Sequence, residues 1–356
     1  MKSIRILIVI VLIICSAKFY SQTNKNNTAF NDELRGKNEL RIMFYNLENF
    51  YDTWNDSSRT YNEFTSFGYR HWGMQKFYTK LNNIYKVIIA VGGWEPPELV
   101  GLCEIENRFV LNSLVLGTPL RKFNYKVIHE DSPDLRGIDV AMIYRQDKFT
   151  EIYHHPIRIT FPFDTASKTR DILYVRGLTN NKDTLHLFVN HFPSKFGGAL
   201  ISQPKRNYVA SVLRNAIDTL IKNNMNPIII IMGDFNDEAE DESLTKYLKV
   251  KCDTIYNKDA DIINLMCGLK KKEGIGTNKF HDQWSLIDQF MISTSLMKEN
   301  NKWQVKNKRA YIFKPVFLLM PDEAYFGVKP FRTFYGARYL GGYSDHLPVY
   351  FDLISN

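Results

Sequence analysis

Residues 228–232, Ile-Ile-Ile-Ile-Met, form an apolar run with no polar alternation, so a strand built from them must be covered on both faces. Asn226-Pro227 breaks any helix before it, and Gly233-Asp234-Phe235-Asn236 follows it. Just upstream, Val209, Val212, Leu213, Ala216, Ile217, Leu220 and Ile221 recur at helical spacing within residues 205–223. Further short apolar segments predict strands at 40–45, 99–103, 125–129, 140–144, 173–178, 184–190, 289–292 and 349–353. Residues 75–91 and 107–116 predict two more helices. Strands alternating with helices indicate an α/β protein, with functional groups at strand ends and in the loops that follow. Residues 258–282 read as a polar surface loop, and 321–343 as a long aromatic, Gly-rich ordered loop.

The N-terminus has a different character. Lys2 and Arg5 precede an apolar run from Ile6 to Cys15, and small or polar residues follow at Ser16, Ala17, Ser21 and Gln22. This is the layout of a secretory signal, too short to favour a spanning helix. We expect residues 1–21 to be an export signal, with Ala17 and Ser21 both candidate cleavage positions, and polar residues 22–38 to be a flexible leader. Ile14 stands before Cys15 where lipidation needs a small residue. Residues 39–356 are then expected to form one domain. Cys252 and Cys267 can pair in an oxidising compartment, whereas Cys103 lies in an apolar strand pattern and reads as a buried small hydrophobe. The formal net charge of +8 suits a polyanion, but Lys-rich chains are common and the charge only supports the motifs below.

Six segments place acidic, amide or imidazole groups at strand ends. Phe44-Tyr45-Asn46-Leu47-Glu48 ends in an amide that either forms a turn or holds a phosphate or a bound water. Leu99 to Glu104 delivers a carboxylate, which must cap the next helix, pair with a cation or face a metal. In Asp134-Leu135-Arg136-Gly137-Ile138-Asp139, Arg136 offers a fork suited to phosphate and Asp139 enters a strand facing inward. Val189-Asn190-His191 ends a strand in an imidazole that Asp139 is placed to orient. Asp234 and Asn236 stand two residues apart on one side of an extended chain. Asp288 enters a strand, and Ser344-Asp345-His346 precedes the last one. Glu48 and Glu106 are either supporting groups or surface carboxylates.

Together these segments resemble the endonuclease/exonuclease/phosphatase (DNase I-like) superfamily, over residues 40–353. The resemblance implies a two-sheet β-sandwich flanked by helices, four layers in α/β/β/α order, with the active site at one end. It implies that Glu104 binds the catalytic metal, with Asn46 and Asp345 beside it, and that Asn46, Asn236 and Arg136 contact the substrate phosphate. Asp234 and Asn236 orient the attacking water, His346 acts on the scissile phosphate, Asp288 supports one histidine, and His191 acts near the leaving group with Asp139 as partner. Hard carboxylate ligands suit Mg²⁺ or Mn²⁺, and Ca²⁺ can assist outside the cell.

The resemblance fixes phosphoester hydrolysis better than substrate. Nucleic acid is the leading expectation, helped by the basic loops at Lys270 to Lys272 and Lys329 to Arg338. A phospholipid or sphingomyelin phosphodiesterase is the alternative; it would need an apolar membrane contact, for which residues 315–320 are a candidate. A small-molecule phosphatase is another. A silent binding module is disfavoured, because every carried-over position holds the expected residue type. No stable protein partner is implied, and a monomer is the family's habit.

Overall fold

The computed structural model describes residues 35–36, 38–54, 63–224, 226–252, 262–299 and 301–355. The expected export signal and all of the leader except Arg35, Gly36 and Asn38 lie outside these residues. Among the described residues, no helix is long and apolar enough to cross a membrane.

Along the chain run Glu39–Phe50 (β1), Met74–Gly92 (α1), Leu99–Ile105 (β2), Arg108–Gly117 (α2), Tyr125–His129 (β3) and Asp139–Arg145 (β4). Phe149–Ile157 (β5), Ile172–Thr179 (β6), Thr184–His191 (β7), Ala199–Asn223 (α3) and Ile228–Asp234 (β8) follow. Next come Ile262–Asn264 (β9), the short helix Leu269–Glu273 (α4), the hairpin Asn278–Phe280 (β10) and Gln283–Ser285 (β11), and Asp288–Ser293 (β12). The remainder is Trp303–Val305 (β13), Tyr311–Ile312 (β14), the hairpins Leu319–Pro321 (β15) with Val328–Pro330 (β16) and Phe334–Tyr335 (β17) with Arg338–Tyr339 (β18), and Val349–Ser355 (β19).

Two large sheets carry the fold. One runs β13-β19-β1-β2-β4-β3, with β14 also on β19, and the other runs β5-β6-β7-β8-β12-β9. The Ile-rich run is β8, central in the second sheet as its double burial demands. Ile230 and Met232 face the first sheet, while Ile229 and Ile231 pack under α3 with Val209, Leu213 and Ile217. On β7, Leu185, Leu187 and Val189 face the first sheet in the same way. Helix α1 lays Phe77, Leu81, Ile84 and Val91 on the first sheet, so helices cover both outer faces. Where the sheets meet, a Cβ on Gly101 would collide with the Met232 side chain. On β8, a Cβ on Gly233 would stand 2.5 Å from the Asn190 carbonyl oxygen. Only glycine lets these backbones approach so closely.

The structure departs from the sequence expectations in several places: β13 and β14 went unread, and the loop expected at 321–343 contains β16 and the β17–β18 hairpin. Strand β5 went unread, because it is an edge strand whose Thr150, Glu151 and His154 break the apolar signal. Helix α3 begins at Ala199, six residues early; Pro204 in its second turn forfeits one backbone bond without ending it. The loop expected at 258–282 contains β9, α4 and the β10–β11 hairpin.

Candidate active site

The inward positions of β7 and β8 continue, at period two, to His191 and Asp234. These two residues are Cα partners across the parallel pair. Asp288, at the start of β12, is the Cα partner of Asp234 on its other side, and Phe290 and Ile292 of the same strand face inward. The strand period thus sets an imidazole and two carboxylates side by side on the inner face, where the sandwich ends.

The first sheet supplies the opposite wall through a break in its pairing. β1 and β2 stay in register as far as Asn46 and Cys103 and then slip. Past the slip, Glu48, Asn49 and Glu104 have φ of 50°, 60° and 60°, and Asn236 across the cleft has φ of 51°. Left-handed conformations at four non-glycine residues are costly and need a surrounding structure that enforces them. Here the side chains enforce them: Glu104 Oε2 accepts from the Asn49 amide at 2.8 Å, and Asn46 Oδ1 from the Glu48 amide at 2.9 Å. Asp234 Oδ1 accepts from the Asn236 amide at 2.9 Å.

At the centre, Asp234 Oδ2 accepts from Asn46 Nδ2 at 3.0 Å and lies 3.7 Å from His191 Nε2 and 3.8 Å from His346 Nε2. His346 Nδ1 meets Asp288 Oδ2 at 2.7 Å. Ser344 fixes the last loop by donating to the Asn46 carbonyl at 2.7 Å and accepting from the His346 amide. The two imidazoles are driven apart. Burial, reinforced by the Arg170 and Arg136 charges, holds His191 well below its ordinary value and so neutral. Burial also opposes charge on His346, but Asp288 and Asp234 outweigh it and hold that ring well above its ordinary value. Burial pushes the Asp234 carboxyl up to about 7; His346 opposes the rise and Asp288 adds to it.

The residues present suit a hard divalent cation. Glu104 Oε1 faces His191 Nε2 at 4.0 Å, and the buried Asp288 Oδ1 has no hydrogen-bond partner among the described residues. Asp234, Asp288 and His346 converge closely enough to hold a metal ion.

Asp345 stands apart from this cluster. Its Oδ2 is 2.9 Å from Arg332, whose Nε is 3.2 Å from Glu48 Oε1. Glu48 Oε2 accepts from the Thr333 amide at 2.6 Å, and buried Lys80 donates to Thr333 Oγ1 and the Tyr343 carbonyl. This network locks the C-terminal loop against α1. Asp345, expected beside the metal, therefore already has a cation partner in Arg332.

Asp139 is the clearest correction. It does not reach His191: its Oδ2 is 3.0 Å from His129 Nε2, and its Oδ1 accepts from the Ser132 amide at 2.8 Å. β3 and β4 are neighbours, so the nearer histidine takes the carboxylate. His191 Nδ1 is buried with no hydrogen-bond partner among the described residues. The Arg136 charge lies near enough to help depress His191, and its Nε is 3.8 Å from Asp134 Oδ1. Glu106 is structural, accepting from the Asp52 amide at 2.6 Å.

Three of the six basic residues in the expected basic track are paired with carboxylates. Lys270 pairs with Glu238, Lys329 with Asp322, and Arg332 with Glu48 and Asp345. In the apolar stretch at 315–320, Leu318 is buried and Phe317 packs on the core, while Val316 is exposed. Arg170 was missed altogether. It is buried, donates to the Phe192 carbonyl at 2.6 Å, and pairs with Asp134 at 3.0 Å, tying the Arg136 loop to the strand end. Lys80 had a signal: it falls on the helical stripe of Phe77, Leu81, Ile84 and Ile88, where a surface lysine does not belong.

The endonuclease/exonuclease/phosphatase family model matches residues 41–355. The chain belongs to that family. Its members are phosphoester hydrolases, and so is this chain. No curated protein matches it by sequence. Among solved structures it is similar to the human Nocturnin catalytic domain with bound sulfate, at 14% identity and TM-score 0.54, over 91% of this chain and 97% of that one. It is also similar to D. rerio TDP2 complexed with a single-strand DNA product, at 15% identity and TM-score 0.52, over 89% and 99%. A Bacteroides thetaiotaomicron mannosyl-6-phosphatase aligns at 16% identity and TM-score 0.52, over 88% and 99%. At these identities the likeness establishes the DNase I-like two-sheet fold.

Proposed function

We propose that this phosphoester hydrolase is an exported, divalent-metal-dependent phosphodiesterase that cleaves nucleic acid. The observation that carries the chemistry is Asp234, held between a neutral and a charged imidazole at the mouth of the sandwich. A carboxylate with a pKa near 7 is matched to taking a proton from water at neutral pH. As the water oxygen bonds to phosphorus, its proton passes to Asp234 and the bond to the leaving oxygen breaks. His346, clamped by Asp288, presents its Nε2 proton to the phosphoryl group where negative charge grows. Neutral His191, beside both Asp234 and Glu104, lies where it can bond the leaving oxygen. Glu104 would hold the Mg²⁺ or Mn²⁺, which when bound polarises the phosphoryl group and stabilises the leaving oxygen.

Nucleic acid is favoured as substrate by the formal charge of +8 and by the fold shared with a protein caught with a DNA product. Export is favoured by the N-terminal pattern and by the Cys252–Cys267 disulfide, which persists in oxidising compartments. One observation favours the lipid alternative. Phe196, Leu200 and Ile201, in the segment after His191, are 96%, 83% and 78% exposed, an apolar group at the cleft.

The test incubates the purified chain with plasmid DNA and with RNA, adding Mg²⁺, Mn²⁺ or EDTA. Cleavage that EDTA stops and Asp234→Ala abolishes is the expected result. Hydrolysis of sphingomyelin or of a sugar phosphate, with neither polymer cut, would overturn the nuclease reading.

A further inference from the structure

Resting on the nucleic-acid reading, we propose that two hairpin tips beside the catalytic cluster form a stacking platform for an unpaired nucleobase of the substrate. The β10–β11 hairpin is rooted in the site. Asn278 Nδ2 donates to the Asp345 carbonyl at 3.0 Å and its backbone bridges His346, while Thr277 Oγ1 accepts from the Asp288 amide at 3.2 Å. Two residues outward, about 7 Å at strand rise, stands Phe280. It is 73% exposed.

Phe280 begins a stack. Its ring centroid is 4.2 Å from that of His281, the planes 28° apart, and His281 lies 5.4 Å from Tyr325 at 13°. Tyr325 and Phe326 belong to the loop between β15 and β16. The two hairpins are joined rigidly: Lys279 Nζ reaches Asp322 at 2.8 Å and the Phe326 carbonyl at 3.2 Å, and Lys329 meets Asp322 at 3.2 Å.

The tips are also strained. His281 and Phe326 have φ of 55° and 60°, where glycine or asparagine would sit without penalty. Bulky rings in that conformation, facing water, weaken the fold and bring no core contact. One face of Phe280 rests on His281, which leaves the other open to extend the stack. A planar, aromatic ligand fits such a face. A paired base hides its faces within its own helix, so the platform selects single-stranded substrate.

The test measures binding by fluorescence anisotropy in EDTA, so that no strand is cut. The probes are a short single-stranded DNA and an abasic strand of equal length. Wild type should prefer the strand with bases. Phe280→Ala should weaken binding of that strand about ten-fold and leave the abasic strand within about two-fold, while Phe280→Trp should retain the preference. Equal losses on both strands, or no loss on either, overturn the platform. Wild-type binding and cleavage without discrimination between strands would keep the nucleic-acid reading and remove the platform. Binding of neither strand would remove both. If Phe280→Ala instead loses association with sphingomyelin vesicles, the tip is a membrane contact and the proposal fails.

Discussion

Replacing Asp288 by Asn tests the division of labour in the catalytic cluster. The change is isosteric, and it removes the negative charge 2.7 Å from His346 Nδ1. A partner charge at that range moves an ionisable group by about 1–3 pKa units, worth about 1.4–4 kcal/mol. Two groups feel it. Asp288 raises His346, so its loss lets that ring fall back toward the ordinary imidazole range. Asp288 also raises Asp234, so its loss lowers that carboxyl from about 7.

The signs then follow from the proposed roles. The rate needs Asp234 ionised and His346 protonated, so it rises with pH through the first value and falls through the second. These are properties of the coupled cluster, read as two limbs of one profile. In Asp288→Asn both limbs move to lower pH, the alkaline one by about 1–3 units. The ratio of variant to wild-type rate therefore falls steadily above neutrality, by about ten-fold per unit of displaced limb. At its own optimum the variant should still be slower by about 10²–10⁴, because the ring has lost the group that orients it. The assay is kcat/KM on a labelled oligonucleotide at saturating Mg²⁺ across the pH range, with circular dichroism to verify the fold. Parallel profiles, displaced only in height, would refute the assignment of His346 as the proton-bearing group.

Asp234→Ala and His346→Ala should each lower turnover by at least about 10³ with the thermal transition little changed; near-normal turnover in either purified variant would remove the mechanism. Glu104→Gln should raise the Mg²⁺ concentration at half activity by about 10-fold or more, and a titration matching wild type would take Glu104 out of the metal site. Lys80→Met leaves Glu48 and Asp345 with Arg332 alone and should cost about 3–5 kcal/mol in urea unfolding, since it removes one partner of a buried charge network. Reducing Cys252–Cys267, which spans 15 residues, should cost about 3 kcal/mol, seen as a lower Tm in dithiothreitol.

The parts of the site that were legible in the sequence follow from strand periodicity. A run such as Ile228 to Met232 declares its own burial, and the period of two then says which side Asp234 faces. His191 and Asp288 follow by the same rule on β7 and β12, so three central groups could be named before any pairing was known. Asn46 and Glu104 were legible as strand-end polar groups. Their left-handed surroundings were not, because those depend on side chain-to-backbone bonds across the β1–β2 slip.

Partner choice was harder to read. Asp139 was assigned to His191 as an acid–imidazole pair and again through the resemblance, yet a local argument favoured His129. An acid at the start of β4 and an imidazole at the end of β3 meet once two neighbouring antiparallel strands pair. Arg332 and Arg170 gave no signal, because their roles arise from loops folding onto distant elements. Arg332 pairs with Glu48 across a sequence separation of 284 residues.

That distinction bears on substrate. Asp234, His191 and Asp288 hang on the regular strands of a fold that the chain shares with proteins only 14–16% identical. What lies beside the cleft hangs on the segments after β7, between β10 and β11, and from β15 to β18. These hold exposed apolar chemistry: Phe196, Leu200 and Ile201 on one segment, and the Phe280–His281–Tyr325 stack on the others. On the proposed function, these segments are where a substrate would be told from its competitors. Exchanging their apolar side chains should therefore change which phosphoester is cut, and leave the pH limbs set by Asp234 and His346 where they are.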